Sequence, residues 1–226
     1  MISGETRLVG LIGDPVSKSL SPLMQNAAFA AVGLDWAYVP LPVRQDELED
    51  AVRGLAALDF AGANVTTPYK LDVATLVEAE VASVNTLVVD GERVRGHSTD
   101  GAVLQSLAPG RIAIVGAGGA ATAFAEANPD AARFWRQGAW PPDVGDFDIV
   151  VNATSERDGV VVELHDGQTL IDLPYPRTAT AEAALAAGCR VIDGLEVLVA
   201  QGAASFRLWT GVPAPVDVMR AAVRSA

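Results

Sequence analysis

The chain is poor in the residues that carry disulfide, metal and nucleic-acid chemistry. It has one cysteine, Cys189, and two histidines among 226 residues. A single thiol cannot close an internal disulfide, and so few histidines exclude a metal cluster of the usual ligand spacing. Positive charge is scarce as well: the net charge is −12, which argues against nucleic acid or an anionic membrane as the main partner, because both demand a basic footprint. No apolar run approaches the roughly 20 residues of a membrane span. Met1-Ile2-Ser3-Gly4-Glu5 lacks the basic start and apolar stretch of a secretory signal, so a cytoplasmic location is expected. Internal repeats are absent. What is present is a chain 50% apolar and 19% charged, enough core for one or two domains.

Lysine is nearly missing too, with two against 14 arginines. One of the two, Lys70, ends the stretch Asn64-Val65-Thr66-Thr67-Pro68-Tyr69-Lys70. The apolar run 60–65 reads as a buried strand, and Pro68 turns the chain and suits a helix's first position. Polar side chains are thereby presented at a strand's carboxyl end, where open α/β sheets bind ligands. A lysine amine can lose its proton and an arginine cannot, which suits a catalytic role. The spacing alone leaves Lys70 open between that role and a solvated lysine of a helix's first turn.

Upstream, 7–13 reads as a strand ending at Gly13-Asp14-Pro15. Ser21 is placed to cap a helix with Pro22 at its first position, which explains Ser21 structurally. Ser17, Lys18, Ser19 and Ser21 crowd a helix N-terminus, a cradle for a carboxylate or phosphate. A strand at 36–41 follows, then a helix capped by Asp46 with Leu48, Ala51, Val52 and Leu55 on one face. Strands alternating with helices predict a parallel sheet. Asp90-Gly91 marks a hairpin between 84–89 and 92–96, whose second strand delivers Asp100. Asp100 by itself reads either as a cap for a helix over 101–107 or as a partner for Lys70.

After Pro109-Gly110 the strand 111–115 runs into Gly116-Ala117-Gly118-Gly119-Ala120-Ala121, the G-x-G-x-x-A dinucleotide fingerprint, and opens a helix over 120–127. Such a fingerprint is followed about 20 positions on by an acid for a ribose hydroxyl or an arginine for a 2′-phosphate. Arg136 stands there, favouring NADP(H) over NAD(H). The segment Gln137-Gly138-Ala139-Trp140-Pro141-Pro142 is hostile to helix, so the chain runs directly to a strand at 147–152. One edge strand and one or more helices are therefore expected to be missing, which leaves the cofactor pocket intact but strips support from its adenine side. Strands at 169–173 and 190–193, a helix at 179–187 and two final helices complete the chain, with Phe206 and Trp209 read as core.

Together these pieces resemble the shikimate dehydrogenase family over nearly the whole chain. The resemblance is carried by Gly13-Asp14-Pro15 through Ser19-Leu20-Ser21-Pro22 with Asn26, by 62–70, Val84-Asn85-Thr86, Thr99-Asp100, the glycine loop, Asn152-Ala153-Thr154, Asp193-Gly194-Leu195 and Gln201-Gly202-Ala203. It implies an α/β fold: an N-terminal substrate domain with a mostly parallel sheet, over 1–101 and completed by helices of 197–226, plus a shortened Rossmann-like NADP-binding domain over 102–196. It further implies that Ser19, Ser21 and Tyr175 hold a substrate carboxylate, and that Asn64, Thr66, Asn85, Asp100 and Gln201 hold its hydroxyls. Lys70 and Asp100 become the catalytic pair. Gly116, Ala117, Gly118, Gly119, Ala120, Arg136, Thr154 and Gly194 become the NADP(H) contacts. The implied reaction is NADP-dependent reduction of 3-dehydroshikimate to shikimate by a monomer or homodimer. The alternatives are a non-catalytic binding protein for a shikimate-type ligand, and a quinate or aminoshikimate-type dehydrogenase. Three departures stand out: the family's Asn-Arg-Thr phosphate motif is Trp135-Arg136-Gln137, Ser98 replaces an asparagine before Thr99-Asp100, and Glu196-Val197 replaces Gly-Met.

Overall fold

A computed structural model describes residues 2–136 and 140–226; Gln137 and the two residues after it, part of the connection discussed above, lie outside the described residues. The chain divides into two compact units, Met1–Asp100 with Val199–Ala226, and Gly101–Leu198.

The first unit is built on a six-stranded sheet of order β2-β1-β3-β5-β6-β4. Its elements are β1 (Arg7–Gly13), α1 (Ser21–Ala31), β2 (Trp36–Pro42), α2 (Leu48–Ala57), β3 (Phe60–Val65), α3 (Lys70–Ala74), β4 (Glu78–Ala79), β5 (Thr86–Asp90) and β6 (Arg93–His97). β2, β1 and β3 run parallel, whereas β5 returns antiparallel to β3 and pairs with β6 across a turn at Gly91, φ 60°. Every residue of β3 is buried, because helices cover both faces of the sheet at its centre. On one side α2 supplies Leu48, Val52 and Leu55 to a core with Ile12, Val65, Tyr69 and Leu87. On the other, Phe29 of α1 stacks on Phe206 at 5.3 Å, and the Trp209 indole donates to Leu87 O at 2.8 Å. Phe206 and Trp209 thus serve the core, as their apolar bulk suggests.

Gly62, in the middle of β3, has a packing reason. A Cβ there would press on Leu87 O and lie 2.6 Å from Trp209 Nε1, so both the sheet and the indole hydrogen bond would have to move. Gly62→Ala is expected to cost about 1–3 kcal/mol of stability. Urea denaturation checks this, and an unchanged midpoint would contradict the tight approach.

Several local expectations give way to backbone geometry. Ser21 is the first residue of α1 and does not cap it; Ser19 Oγ instead accepts the Ser21 N–H at 3.2 Å. Asp46 lies inside a short 3₁₀ turn (Gln45–Glu47) that precedes α2, and its carboxylate pairs with Arg44 at 3.1 Å. Pro68 sits in the turn before α3, and Asp100–Ser106 forms a 3₁₀ helix where an α-helix is predicted. Asn26 acts structurally: its amide accepts Tyr38 N at 2.8 Å and donates to Tyr38 O at 2.9 Å, pairing the outer edge of β2.

The second unit carries a parallel sheet of order β11-β10-β9-β7-β8. Its elements are β7 (Ile112–Val115), α4 (Gly119–Ala127), β8 (Ala132–Phe134), β9 (Ile149–Asn152), β10 (Thr169–Asp172), α5 (Ala179–Ala186) and β11 (Arg190–Ile192). β8 is the sheet's edge, and among the described residues no helix joins β8 to β9. Among the described residues no strand lies outside β8, where the following sequence is hostile to helix. The link between β9 and β10 also lacks a helix; Val161 and Val162 are buried from it, and Val161 N donates to Thr180 Oγ1 at 3.0 Å. Then α6 (Gly194–Thr210) and α7 (Val216–Arg224) follow, α7 placing Met219 and Val223 in the core. No described helix is long and apolar enough to cross a membrane.

Candidate active site

Lys70 opens α3 at the carboxyl end of β3, after a turn closed by Tyr69 N to Thr66 O at 3.1 Å. Its Nζ donates to Asp100 Oδ2 at 2.6 Å, with side chains only 15% and 9% exposed. Asp100 does not rely on Lys70 alone. Its Oδ1 accepts Asn85 Nδ2 at 2.8 Å, and Asn85 Oδ1 accepts the Thr99 N–H at 2.8 Å. The Asn85 amide is thereby oriented, and it holds the carboxylate toward Lys70. Gln201 of α6 joins the group, its Oε1 3.3 Å from Asn85 Nδ2. A charge-assisted hydrogen bond sheltered from water, with a side chain able to give up a proton, is an arrangement suited to proton transfer.

Asn64 lies beneath this group and is 4% exposed. Its Oδ1 accepts the Tyr38 hydroxyl at 2.9 Å, and its Nδ2 donates to Asn85 O, Thr86 Oγ1 and Ser205 Oγ at 2.9–3.1 Å. The amide is engaged inside the protein, and its bond to Asn85 O braces Asn85. Ser205 also bonds Thr86 Oγ1 at 2.8 Å and Thr99 Oγ1 at 3.2 Å. Tyr38, Thr86, Thr99 and Ser205 escape the sequence reading as site residues. Ser205 had a usable signal, since it falls four positions after Gln201 on the same helix face.

The loops after β1 and β3 lie side by side, because these strands pair in parallel through Ile12 and Val65. Asp14 N approaches Thr67 O at 3.4 Å, and a Cβ on Gly13 would run into the Thr66 methyl. Ser19 and Thr66 therefore belong to neighbouring loops at one end of the sheet, with buried Ser21 opening α1 beside them.

In the second unit the glycine loop links β7 to α4. Gly116 has φ 140°, and a Cβ there would lie 2.7 Å from Ala153 O, so only glycine fits. Gly118 precedes α4 in an extended conformation, and a Cβ on it would meet no atom within 4 Å. No side chain caps α4 and its first turn has no acid. A glycine-led helix N-terminus without an acid in its first turn fits a pyrophosphate. Thr154, after β9, donates to Asn152 Oδ1 at 2.8 Å; Asn152 Nδ2 donates to Asp172 Oδ1 at 2.7 Å, and Thr178 Oγ1 to Asp172 Oδ2 at 2.9 Å. Burial pushes the Asp172 carboxyl up from its ordinary range, and these donors oppose the shift. Thr178 also caps α5, accepting Ala181 N at 3.1 Å. Gly194 packs on backbone, where a Cβ would lie 2.5 Å from Leu173 O, and Tyr175 follows β10, its carbonyl accepting from Arg157. Arg136 stands exposed just after β8, beside Glu156.

Two family models match the chain: the shikimate dehydrogenase substrate binding domain over residues 11–87, and the shikimate 5′-dehydrogenase C-terminal domain over 194–224. A shikimate dehydrogenase (NADP(+)) of Methanothermobacter thermautotrophicus is 33% identical over 277 aligned positions, covering 99% of this chain and 98% of the relative. One from Anaeromyxobacter dehalogenans is 38% identical, covering 98% and 97%. Alignments longer than the 226 residues of this chain mean that both relatives carry segments it lacks. Among solved structures, a shikimate dehydrogenase in complex with NADP+ superposes with a TM-score of 0.88 at 28% identity, covering 100% of this chain and 97% of the other. The chain belongs to the shikimate dehydrogenase family.

Proposed function

We propose that the protein is an NADP-dependent dehydrogenase that reduces 3-dehydroshikimate to shikimate. The observation that carries this reading is the sheltered 2.6 Å contact between Lys70 and Asp100, braced by Asn85. Ser19 and Ser21, with Tyr175, take the substrate carboxylate, while Thr66, Asn85 and Gln201 orient its hydroxyls. Asn64 keeps Asn85 in place. The glycine loop, Thr154, Arg136 and Gly194 are the groups that would hold NADP(H), whose nicotinamide supplies hydride to the ketone carbon. Lys70 protonates the oxygen as it gains negative charge, and Asp100 keeps the amine positioned. A protein that only bound its ligand would need neither a sheltered Lys70–Asp100 pair nor a glycine fingerprint, which favours the enzyme.

NADPH dideuterated at the nicotinamide C4 tests the assignment. Deuterium is expected on the newly formed carbinol carbon of shikimate, with quinate a poorer substrate in the reverse direction. Shikimate formed without the label, or quinate oxidised more efficiently, would overturn the reaction or the substrate respectively.

A further inference from the structure

The sequence spacing leaves Arg136 without an acidic neighbour near the position that distinguishes the two dinucleotides, but the fold supplies one. Glu156, on the loop after β9, places Oε2 at 3.5 Å from Arg136 Nη2. The same guanidinium stands over the Trp140 ring at 5.6 Å. The other carboxylate oxygen, Oε1, accepts the backbone N–H groups of Arg157, Asp158 and Gly159, each at 3.2 Å. Three successive N–H groups converging on one oxygen form an anion-binding nest. These backbone bonds, more than Arg136, hold the Glu156 carboxyl below its ordinary range. The loop is anchored in turn, Glu156 N donating to Thr154 Oγ1 at 3.3 Å and Ala179 N to Arg157 O at 2.8 Å. Glu156 is therefore a fixed negative charge with one oxygen directed at the arginine.

A carboxylate facing a guanidinium occupies the kind of position a phosphate monoester takes. An acid near this arginine also offers an acceptor to a free ribose hydroxyl. We propose that Glu156 is a specificity-determining residue that competes with a 2′-phosphate for Arg136 and accepts from a 2′-hydroxyl, lowering the preference for NADP(H) over NAD(H). This rests on the reading of the second unit as a dinucleotide-binding domain. A 2′-phosphate reaching Arg136 must displace Glu156 or bring its own negative charge within a few ångströms of the carboxylate, whereas a 2′-hydroxyl brings no charge and can donate to it.

The test is calorimetric binding of two fragments, adenosine 2′,5′-bisphosphate and 5′-AMP, to the full chain and to Glu156→Gln. The glutamine keeps an oxygen for the three N–H groups and removes the charge. The ratio of affinities is expected to shift about threefold toward the bisphosphate, the size of an ion-pair interaction at a largely exposed guanidinium. Glu156→Asp, which keeps the charge, is expected to hold the ratio near that of the unaltered protein. Glu156→Ser provides the same prediction as glutamine should the loop be disturbed. A ratio unchanged in both neutral variants, with the fragments still bound, overturns the role of Glu156 alone. Failure of the unaltered protein to bind either fragment overturns the dinucleotide reading and this inference with it.

Discussion

Lys70→Ala is expected to lower kcat for 3-dehydroshikimate reduction by about 10²- to 10⁴-fold while shikimate affinity stays within about threefold. The split between kcat and binding is the informative part. General acid help acts on charge that exists only in the transition state, so losing it leaves the ground-state complex nearly intact. Asn85 still holds Asp100 in the variant through the 2.8 Å amide contact, so the substrate cradle keeps its shape. Steady-state kinetics with shikimate calorimetry checks both halves. A large loss of affinity with kcat preserved would make Lys70 a binding residue, and unchanged kinetics would remove it from the chemistry.

Asp100→Ala is expected to lower kcat by about 10²- to 10³-fold, and the double variant with Lys70→Ala to be little worse than Lys70→Ala alone. The two act as one unit, linked at 2.6 Å, and such units lose their effect once rather than twice. Removing the carboxylate also frees Asn85 Nδ2 from one of its acceptors and leaves a sheltered ammonium without its counter-charge. Some loss of stability therefore accompanies the loss of rate, and urea denaturation separates the two. Multiplicative losses in the double variant would show that Lys70 and Asp100 act independently.

The central sheet was legible because its signals are local. Phe60–Val65 is a buried apolar run bounded by turns, and Asp90-Gly91 fixes a hairpin through Gly91 at φ 60°. The glycine loop reads from residue type alone, since Gly116 meets backbone that excludes a Cβ. Prolines in a segment too short for a crossover predict no strand beyond β8, and none lies there among the described residues. Caps were less legible. A 3₁₀ turn before α2 and the early start of α1 shift each boundary by one or two residues, enough to move Asp46 and Ser21 out of the capping position. The two-residue β4 has no sequence signal; pairing with β6 defines it. The hidden parts of the site share a cause. Tyr38, Ser205 and Glu156 work through partners 26, 141 and 20 positions away, and only the fold brings such pairs together.

The measurement that bears most directly on this account is nicotinamide absorbance after 3-dehydroshikimate is added to the protein with NADPH. The account predicts NADPH consumption matched mole for mole by shikimate, at a turnover on the order of 1–10³ per second. Tight shikimate binding with no NADPH consumed would contradict it, and would leave the Lys70–Asp100 pair part of a binding protein.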